Sequence, residues 1–441
     1  MKIRLHSSLS PTAGSSKTSY PWLSMAAAMV LIYLSPFVSS VCSALAFAIC
    51  VYRLVRYDAK VFAVDYCLLL PVVQIFRITG GVSFFVYLCL LAAIWHTVCS
   101  GFRSESPYIL LIVLLNFLVA RMQLSISNFI LCFGQLFMLC VILPKQDEAS
   151  AERAVKYFCV GLIISSVYAL IIRDTWQLRS VIGTEDEAIY GTGTFRFRGL
   201  IRDPNYYMTL LIVALALLIK LRDCRKIELL SFLLVGVVLV GFGILTYSKT
   251  FFLVLVILAV LYILWQFRNG KYLLGFGLIL LALVAGNFLL FSENSPFAVI
   301  MARFFNANDI SSFTTGRTDV YADYLEKIFD SFSSFFFGAG LAAESLYKDP
   351  HNIYIELAYY IGFVGLILYA AFYFSLVYAA RKRAKGAWKQ NIFAKYIVVV
   401  MMLVLYFTLH GMFEVIFYGG SFLALLSVML TKPQTAPEEN G

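Results

Sequence analysis

Charge is what this chain has least of. Only 14% of its 441 residues are Asp, Glu, Lys or Arg, against 61% hydrophobic residues and a mean hydropathy of +0.84. That is too little polar surface to cover a water-soluble domain. Alternating polar and apolar positions are also missing: uninterrupted apolar runs such as 208–219 exclude an outer-membrane barrel, whose strands alternate lumen-facing and lipid-facing residues. The two long polar stretches contain no cysteine. All nine cysteines (42, 50, 67, 89, 99, 132, 140, 159 and 224) sit in apolar spans except Cys224, in a short basic loop, so no disulfide framework is implied. No internal repeat, low-complexity tract or soluble domain is evident, and histidine is scarce, at four residues. What is left is an all-α polytopic membrane protein.

Apolar stretches near the roughly 20 residues that cross a bilayer recur from Trp22 to Leu430. They predict spans at about 22–36, 38–54, 61–79, 82–100, 107–121, 124–143, 154–172, 205–221, 228–246, 250–267, 271–291, 352–380, 393–410 and 413–431. That is fourteen spans, or twelve if two short early ones are re-entrant or fused. Lys2, Arg4 and Lys17 before the first run give the start a superficial likeness to a signal peptide. The run outlasts the roughly 7–15 residues of a signal core, however, so an uncleaved first span is expected. The expected organisation is a cytoplasmic segment 1–20, one transmembrane domain 21–431 and a short cytoplasmic tail 432–441.

With the amino terminus inside, Arg53/Arg56/Lys60, Arg103, Lys145/Arg153, Arg222/Arg225/Lys226, Arg268/Lys271 and Arg381/Lys382/Arg383/Lys385/Lys389 all fall on the cytoplasmic side. The positive-inside rule is then met at every inner loop, which makes the 381–389 cluster a topology anchor. Two long loops, about 173–204 and 292–351, face outward. The first carries Arg173, Arg179, Arg196, Arg198 and Arg202 and no lysine. Guanidinium suits forked hydrogen bonding to phosphate, so this set points to an anionic partner; pairing with Asp174, Glu185, Asp186, Glu187 and Asp203 is the competing explanation.

Four segments carry candidate chemistry. In the run from Thr194 to Tyr207, Asp203 or a neighbour is expected to cap a transmembrane helix with Pro204 in its first turn. The helix's positive end then lies beside arginines, where an anion meets dipole and charge together. Thr246-Tyr247-Ser248-Lys249-Thr250 makes a tight outer hairpin, whose lysine either snorkels to lipid phosphate or adds charge for a bound diphosphate. Thr315-Gly316-Arg317 opens an amphipathic helix with Val320, Tyr324, Leu325, Ile328 and Phe329 on its apolar face. Arg317, in its first turn, is either a substrate contact or an ordinary surface ion-pair partner.

His351 begins the fourth segment, at a junction between loop and helix. An ordinary histidine pKa near 6.5 suits proton transfer. Helical spacing puts Tyr354 near it and Glu356 within a turn and a half, and a carboxylate so close to the membrane interior is a functional candidate. No second histidine or cysteine stands at metal-ligand spacing. His96 and His410, near or within apolar helices, read as satisfied core residues, and Glu414 reads as structural.

These segments, in this order, resemble the O-antigen ligase and O-antigen polymerase superfamily of membrane glycosyltransferases. The resemblance runs from about Phe195 to Gly365. It rests on His351-Asn352, nine residues and Gly362-x-x-Gly365; on Arg196-x-x-Gly199 followed by Pro204-Asn205; on Ser248-Lys249; and on Gly316-Arg317. Two positions depart from the family pattern. Lys249 stands where arginine is usual, keeping charge without the fork, and Arg198 stands where a small residue is more common.

The resemblance implies transfer of a glycan from an undecaprenyl-diphosphate carrier at the outer face of a bacterial inner membrane, without a cofactor or metal. His351 and Glu356 are the implied catalytic residues, His351 as general base. Arg196, Arg198, Arg202, Asn205, Lys249, Arg317 and Asn352 are the implied substrate-binding set. The expected function is an O-antigen, capsule or exopolysaccharide polymerase, with another lipid-linked repeat as acceptor. A ligase acting on lipid A core in lipopolysaccharide synthesis, and a lipid-linked oligosaccharide transporter, are the alternatives. A single base without a nucleophilic carboxylate favours inversion. Membrane lipid, a chain-length regulator and a flippase are the expected partners, and nucleic acid is not.

Overall fold

The computed structural model describes residues 20–77, 83–100, 108–119, 126–182, 196–291, 316–344, 346, 348–384 and 392–431. The predicted termini 1–19 and 432–441, residues 183–195 with Glu185, Asp186 and Glu187, Arg103, and loop residues 292–315 lie outside these. The described residues are helical, with no strand among them. In chain order the helices are α1 (Trp22–Leu34), α2 (Ser40–Arg56), α3 (Ala59–Leu69), α4 (Phe84–Ser100), α5 (Tyr108–Val119), α6 (Ile126–Ile142) and α7 (Glu148–Ile172). There follow α8 (Trp176–Ile182), α9 (Pro204–Asp223), α10 (Leu229–Ile244), α11 (Lys249–Arg268) and α12 (Tyr272–Phe291). The chain continues with α13 (Arg317–Phe329), α14 (Phe332–Phe337), α15 (Ile353–Arg383), α16 (Ile392–Tyr406) and α17 (Val415–Met429). By length and composition, Ile126–Lys145, Glu148–Ile172, Pro204–Asp223, Lys249–Arg268 and Ile353–Arg383 can each cross a membrane, and five shorter apolar helices accompany them. The chain is a multi-pass, all-α membrane protein.

The bundle is organised around α9. Its sequence is apolar all round, which fits a helix surrounded by others, and it packs against α7, α10, α11, α16 and α17. The outer helices turn Leu229, Leu230, Leu233, Leu234 and Val237 of α10 outward, as a lipid-facing surface requires. Both α9 and α15 finish in cations: Lys220 and Arg222 on one, Arg381, Lys382 and Arg383 on the other. At that end Lys226 pairs with Glu148 at 3.0 Å, Thr431 donates to Glu148 at 2.8 Å and Arg383 donates to the Leu143 carbonyl at 3.3 Å. The amino-terminal ends of α9, α15 and α17 meet at the opposite end.

Arg53, one of the cations expected on the inner side, lies in the last turn of α2 and is 1% exposed. Its Nε and Nη2 donate to the two Asp65 carboxylate oxygens at 2.8 and 2.7 Å, and Tyr20 donates to the same carboxylate. Arginine near the end of α2 can reach inward because Asp65 on α3 neutralises it, a partner that loop counting does not reveal.

Helix α15 is broken at Gly362, whose φ of 67° and ψ of −178° are not helical. The carbonyls of Tyr359 and Tyr360 accept instead from Ala339 and Gly340 N–H, at 2.7 and 3.0 Å. A helix break is tolerated where its backbone groups find new partners, as here. A Cβ on Gly362 would come within 2.4 Å of the Phe336 and Phe337 backbone, and one on Gly338 within 2.6 Å of Tyr360 and Gly362. The glycines thus let α14 and its exit loop dock against the break, backbone to backbone. Tyr324 and Tyr359, with ring centroids 5.0 Å apart, fasten α13 to the same helix. The expected apolar face of α13 is divided between buried and exposed residues. Val320, Tyr324 and Ile328 are buried, whereas Leu325 and Phe329 are exposed. The buried residues form one i, i+4, i+8 row, and Phe329 of the flanking row stacks on Phe335 of α14.

Candidate functional site

Asp203 caps α9, its carboxylate accepting from Asn205 N–H at 2.6 Å, with Pro204 at the first helical position as expected. The chain enters this cap past the hairpin between α10 and α11, where Phe197 N–H donates to the Leu245 carbonyl at 2.9 Å. That contact aligns Arg196. Its Nε donates to the Thr246 carbonyl at 2.9 Å and its Nη2 to Asn205 Oδ1 at 3.2 Å. The Ser248 hydroxyl reaches the same Asn205 oxygen at 3.5 Å while also accepting from Phe251 N–H to cap α11. Two separate sequence motifs therefore share one network. Lys249 is the first residue of α11, beside it.

Arg317 opens α13 after Gly316. Burial lowers its pKa from the ordinary arginine value; Tyr321 and Asp203 oppose that shift, and the charge of Arg196 adds to it. Two guanidinium groups from distant segments thus face the capped start of α9. Arg198 and Arg202 diverge. Arg198 is buried and donates to the Arg202 carbonyl at 3.0 Å, bracing the turn, and Arg202 is exposed, its charge acting on Glu414 and Arg77.

His351 has a φ of 47°, in the left-handed region that histidine occupies only occasionally. Asn352 makes this corner possible by capping α15, its side chain accepting from Tyr354 and Ile355 N–H at 3.0 and 3.2 Å. The Tyr321 hydroxyl reaches the His351 carbonyl at 3.5 Å. Burial, the neighbouring His410 and Arg317 push the His351 imidazole down to a pKa of about 3.

Glu356 does not serve His351 through a direct contact in this arrangement. Its carboxylate accepts the backbone N–H groups of Gly411 at 2.6 Å and Met412 at 2.9 Å. It therefore fixes the loop that carries His410.

Sequence reasoning left His410 in the apolar core, and the fold brings it to the centre of the site. Its ring is perpendicular to that of His351 with centroids 4.4 Å apart, and its Nδ1 lies 3.5 Å from Asp349 Oδ2. The Tyr206 hydroxyl donates to the His410 carbonyl at 2.9 Å and stands 3.2 Å from Nδ1. Asp349 was also missed, although, two residues before His351, it was within reach of a closer reading of the motif.

The arrangement presents cations and a capped helix start on one side and a neutral imidazole beside a second on the other, suited to an anionic donor and an acceptor proton. Residues 234–370 match the family described as O-antigen ligase. The match supports the O-antigen polymerase and ligase superfamily. No curated protein and no solved structure matches the chain. The matched stretch includes Ser248, Lys249, Arg317, His351, Glu356, Gly362 and Gly365; Arg196, Asn205 and His410 lie outside it and join the site through the fold. Superfamily character implies a glycosyltransferase-like membrane enzyme with an O-antigen polymerase or ligase role, and it suggests lipid-linked polysaccharide as substrate.

Proposed function

We propose that the protein is a polysaccharide polymerase that transfers a glycan from a polyprenyl-diphosphate carrier to a hydroxyl of another lipid-linked repeat unit. The observation that carries this reading is the convergence of Arg196, Arg317 and His351, from three distant segments, around the capped start of α9. Arg196 and Arg317, with Lys249 beside them, bind the diphosphate and stabilise its charge as it departs. His351 takes the acceptor hydroxyl's proton. The hydroxyl oxygen forms the new bond to the anomeric carbon, the carbon–oxygen bond to phosphate breaks, and the electron pair leaves on the diphosphate. Direct displacement inverts the anomeric centre. The arginines need no divalent metal to assist them.

A depressed pKa keeps His351 neutral, and so able to accept a proton, well into the acid range. Its basicity is low chiefly because it is buried, with His410 and then the charge of Arg317 adding to the shift. The negative diphosphate offsets that charge and raises the imidazole towards the ordinary range, so the base strengthens when the donor is in place.

The site lies at the end of the bundle opposite Lys220, Arg222 and Arg381–Arg383. The positive-inside rule assigns that end to the extracytoplasmic face, which suits the cytoplasmic membrane of a bacterium and a donor already flipped outward. A transporter would gather such charges near the bilayer midplane rather than at one end.

Products decide the acceptor. The purified protein in lipid bilayers, given only its lipid-linked repeat unit, is expected to build a ladder of lengthening glycans. Product that forms only after lipid A core is added would make the protein a ligase and contradict polymerisation.

A further inference from the structure

The loop between α16 and α17 is built with more care than a connection needs. Glu356 holds it through Gly411 and Met412, Tyr206 of α9 holds it through the His410 carbonyl, and Asp349 approaches the His410 ring from the segment before α15. Gly411 adopts a φ of 102°, and a Cβ there would meet the Tyr206 hydroxyl at 2.6 Å. All of this serves to present one imidazole, perpendicular, at 4.4 Å from another.

Two imidazolium charges at that separation repel, so the pair holds one proton far more readily than two. The surroundings decide which ring takes it. His410 faces Asp349 and Asp203, with Arg317 opposing and Tyr206, Glu356 and Glu414 around it. His351 faces Arg317 and His410, with Tyr321 on its backbone. We propose that His410 and Asp349 form the proton-holding pair of the site, a positioning unit that takes the first proton from solvent and leaves His351 neutral as the acceptor's base. His410 thus acts through His351 and not on substrate. Burial pulls both rings below the ordinary histidine value, but only His410 has carboxylates that oppose it.

The role as a base rests on the function proposed above; the order of protonation does not. The test is therefore ring-labelled histidine NMR of the full chain in lipid nanodiscs. With four histidines in the chain, resonances are assigned by single substitutions of His6, His96, His351 and His410. On acidification His410 is expected to titrate first. In H410N the His351 midpoint rises by about one pH unit or more, as coupled sites do when one is removed. In H410K, which keeps a permanent charge, it stays at or below that of the unsubstituted protein. D349N lowers the midpoint of His410 itself. His351 titrating before His410, a His351 midpoint indifferent to both His410 substitutions, or a His410 midpoint indifferent to D349N would overturn the proposal. If the titrations behave as expected, the acid limb of kcat/KM for glycan transfer moves upward in H410N with the His351 midpoint. A protein that titrates as described yet transfers no glycan would contradict the assigned activity and leave the pair intact.

Discussion

Glu356 accepts the backbone N–H of Gly411 at 2.6 Å and so joins the first turns of α15, just after His351, to the loop that carries His410. A carboxylate committed to two backbone donors orders its neighbours rather than exchanging protons with substrate. Glu356→Gln can accept only one of the two N–H groups, and its amide confronts the other. Loss of one charge-assisted bond of this kind costs roughly 1.5–3 kcal/mol. The expected result is a lower unfolding temperature in detergent and a parallel loss of turnover. Unchanged stability with turnover abolished would instead return Glu356 to a direct catalytic role.

Arg196 and Arg317 are expected to differ from Lys249 in how they tolerate exchange. Arg317→Lys keeps charge and loses the fork, so affinity for a polyprenyl diphosphate falls about tenfold or more, a charged hydrogen bond being worth about 1.5–3 kcal/mol. Lys249→Arg restores a fork and leaves affinity equal or higher. Competition by polyprenyl diphosphate against the donor, measured at two salt concentrations, reads both.

Stability is expected to depend on pH through His351. Its folded pKa, about 3, lies below the unfolded value near 6.5. The folded state therefore binds fewer protons in between, and stability is fully present above about 6.5 and declines as pH falls towards about 3. Unfolding temperatures from pH 7 to 4 are expected to fall less steeply in His351→Asn than in the unsubstituted chain. Identical slopes would contradict the burial of a neutral imidazole.

The pair between Arg53 and Asp65, with side chains 0% and 6% exposed, is expected to govern folding and not chemistry. Arg53→Met strands a buried carboxylate and costs roughly 3–5 kcal/mol, while Arg53→Met with Asp65→Asn together recovers much of that loss. Thermal unfolding of the two variants measures the difference.

Gly362→Ala places a methyl group 2.4 Å from the Phe336 and Phe337 backbone. Undocking of α14 is the expected consequence, and with it displacement of Arg317. Limited proteolysis between Arg317 and Tyr359 is expected to accelerate in this variant, and donor affinity to fall.

Much of this was legible in the sequence, and the physical reasons divide it. Long apolar runs gave the helical class, and the Pro204 cap, the hairpin at Ser248 and the start of α13 at Arg317 were each readable because they are local. Gly362 of the His351 motif was readable as part of a pattern but not as a cause. Its role at the docking of α14 depends on a backbone contact with a segment more than twenty residues away. His410 could not be found, since an imidazole beside an apolar helix looks the same whether it faces a core or a second histidine 59 positions earlier. The pairing of Arg53 was hidden for the same reason: Asp65 sits in an apolar helix, and only packing brings the charges together.

Turnover of His351→Ala tests most directly whether His351 is the base. The variant is compared with the unsubstituted protein in the same bilayers, with its own lipid-linked repeat as substrate and with helicity and donor affinity checked in both. Glycan transfer is expected to fall by about 100-fold or more, the range in which a positioned base contributes, with donor binding retained. Undiminished turnover in a folded, donor-binding sample would contradict the account.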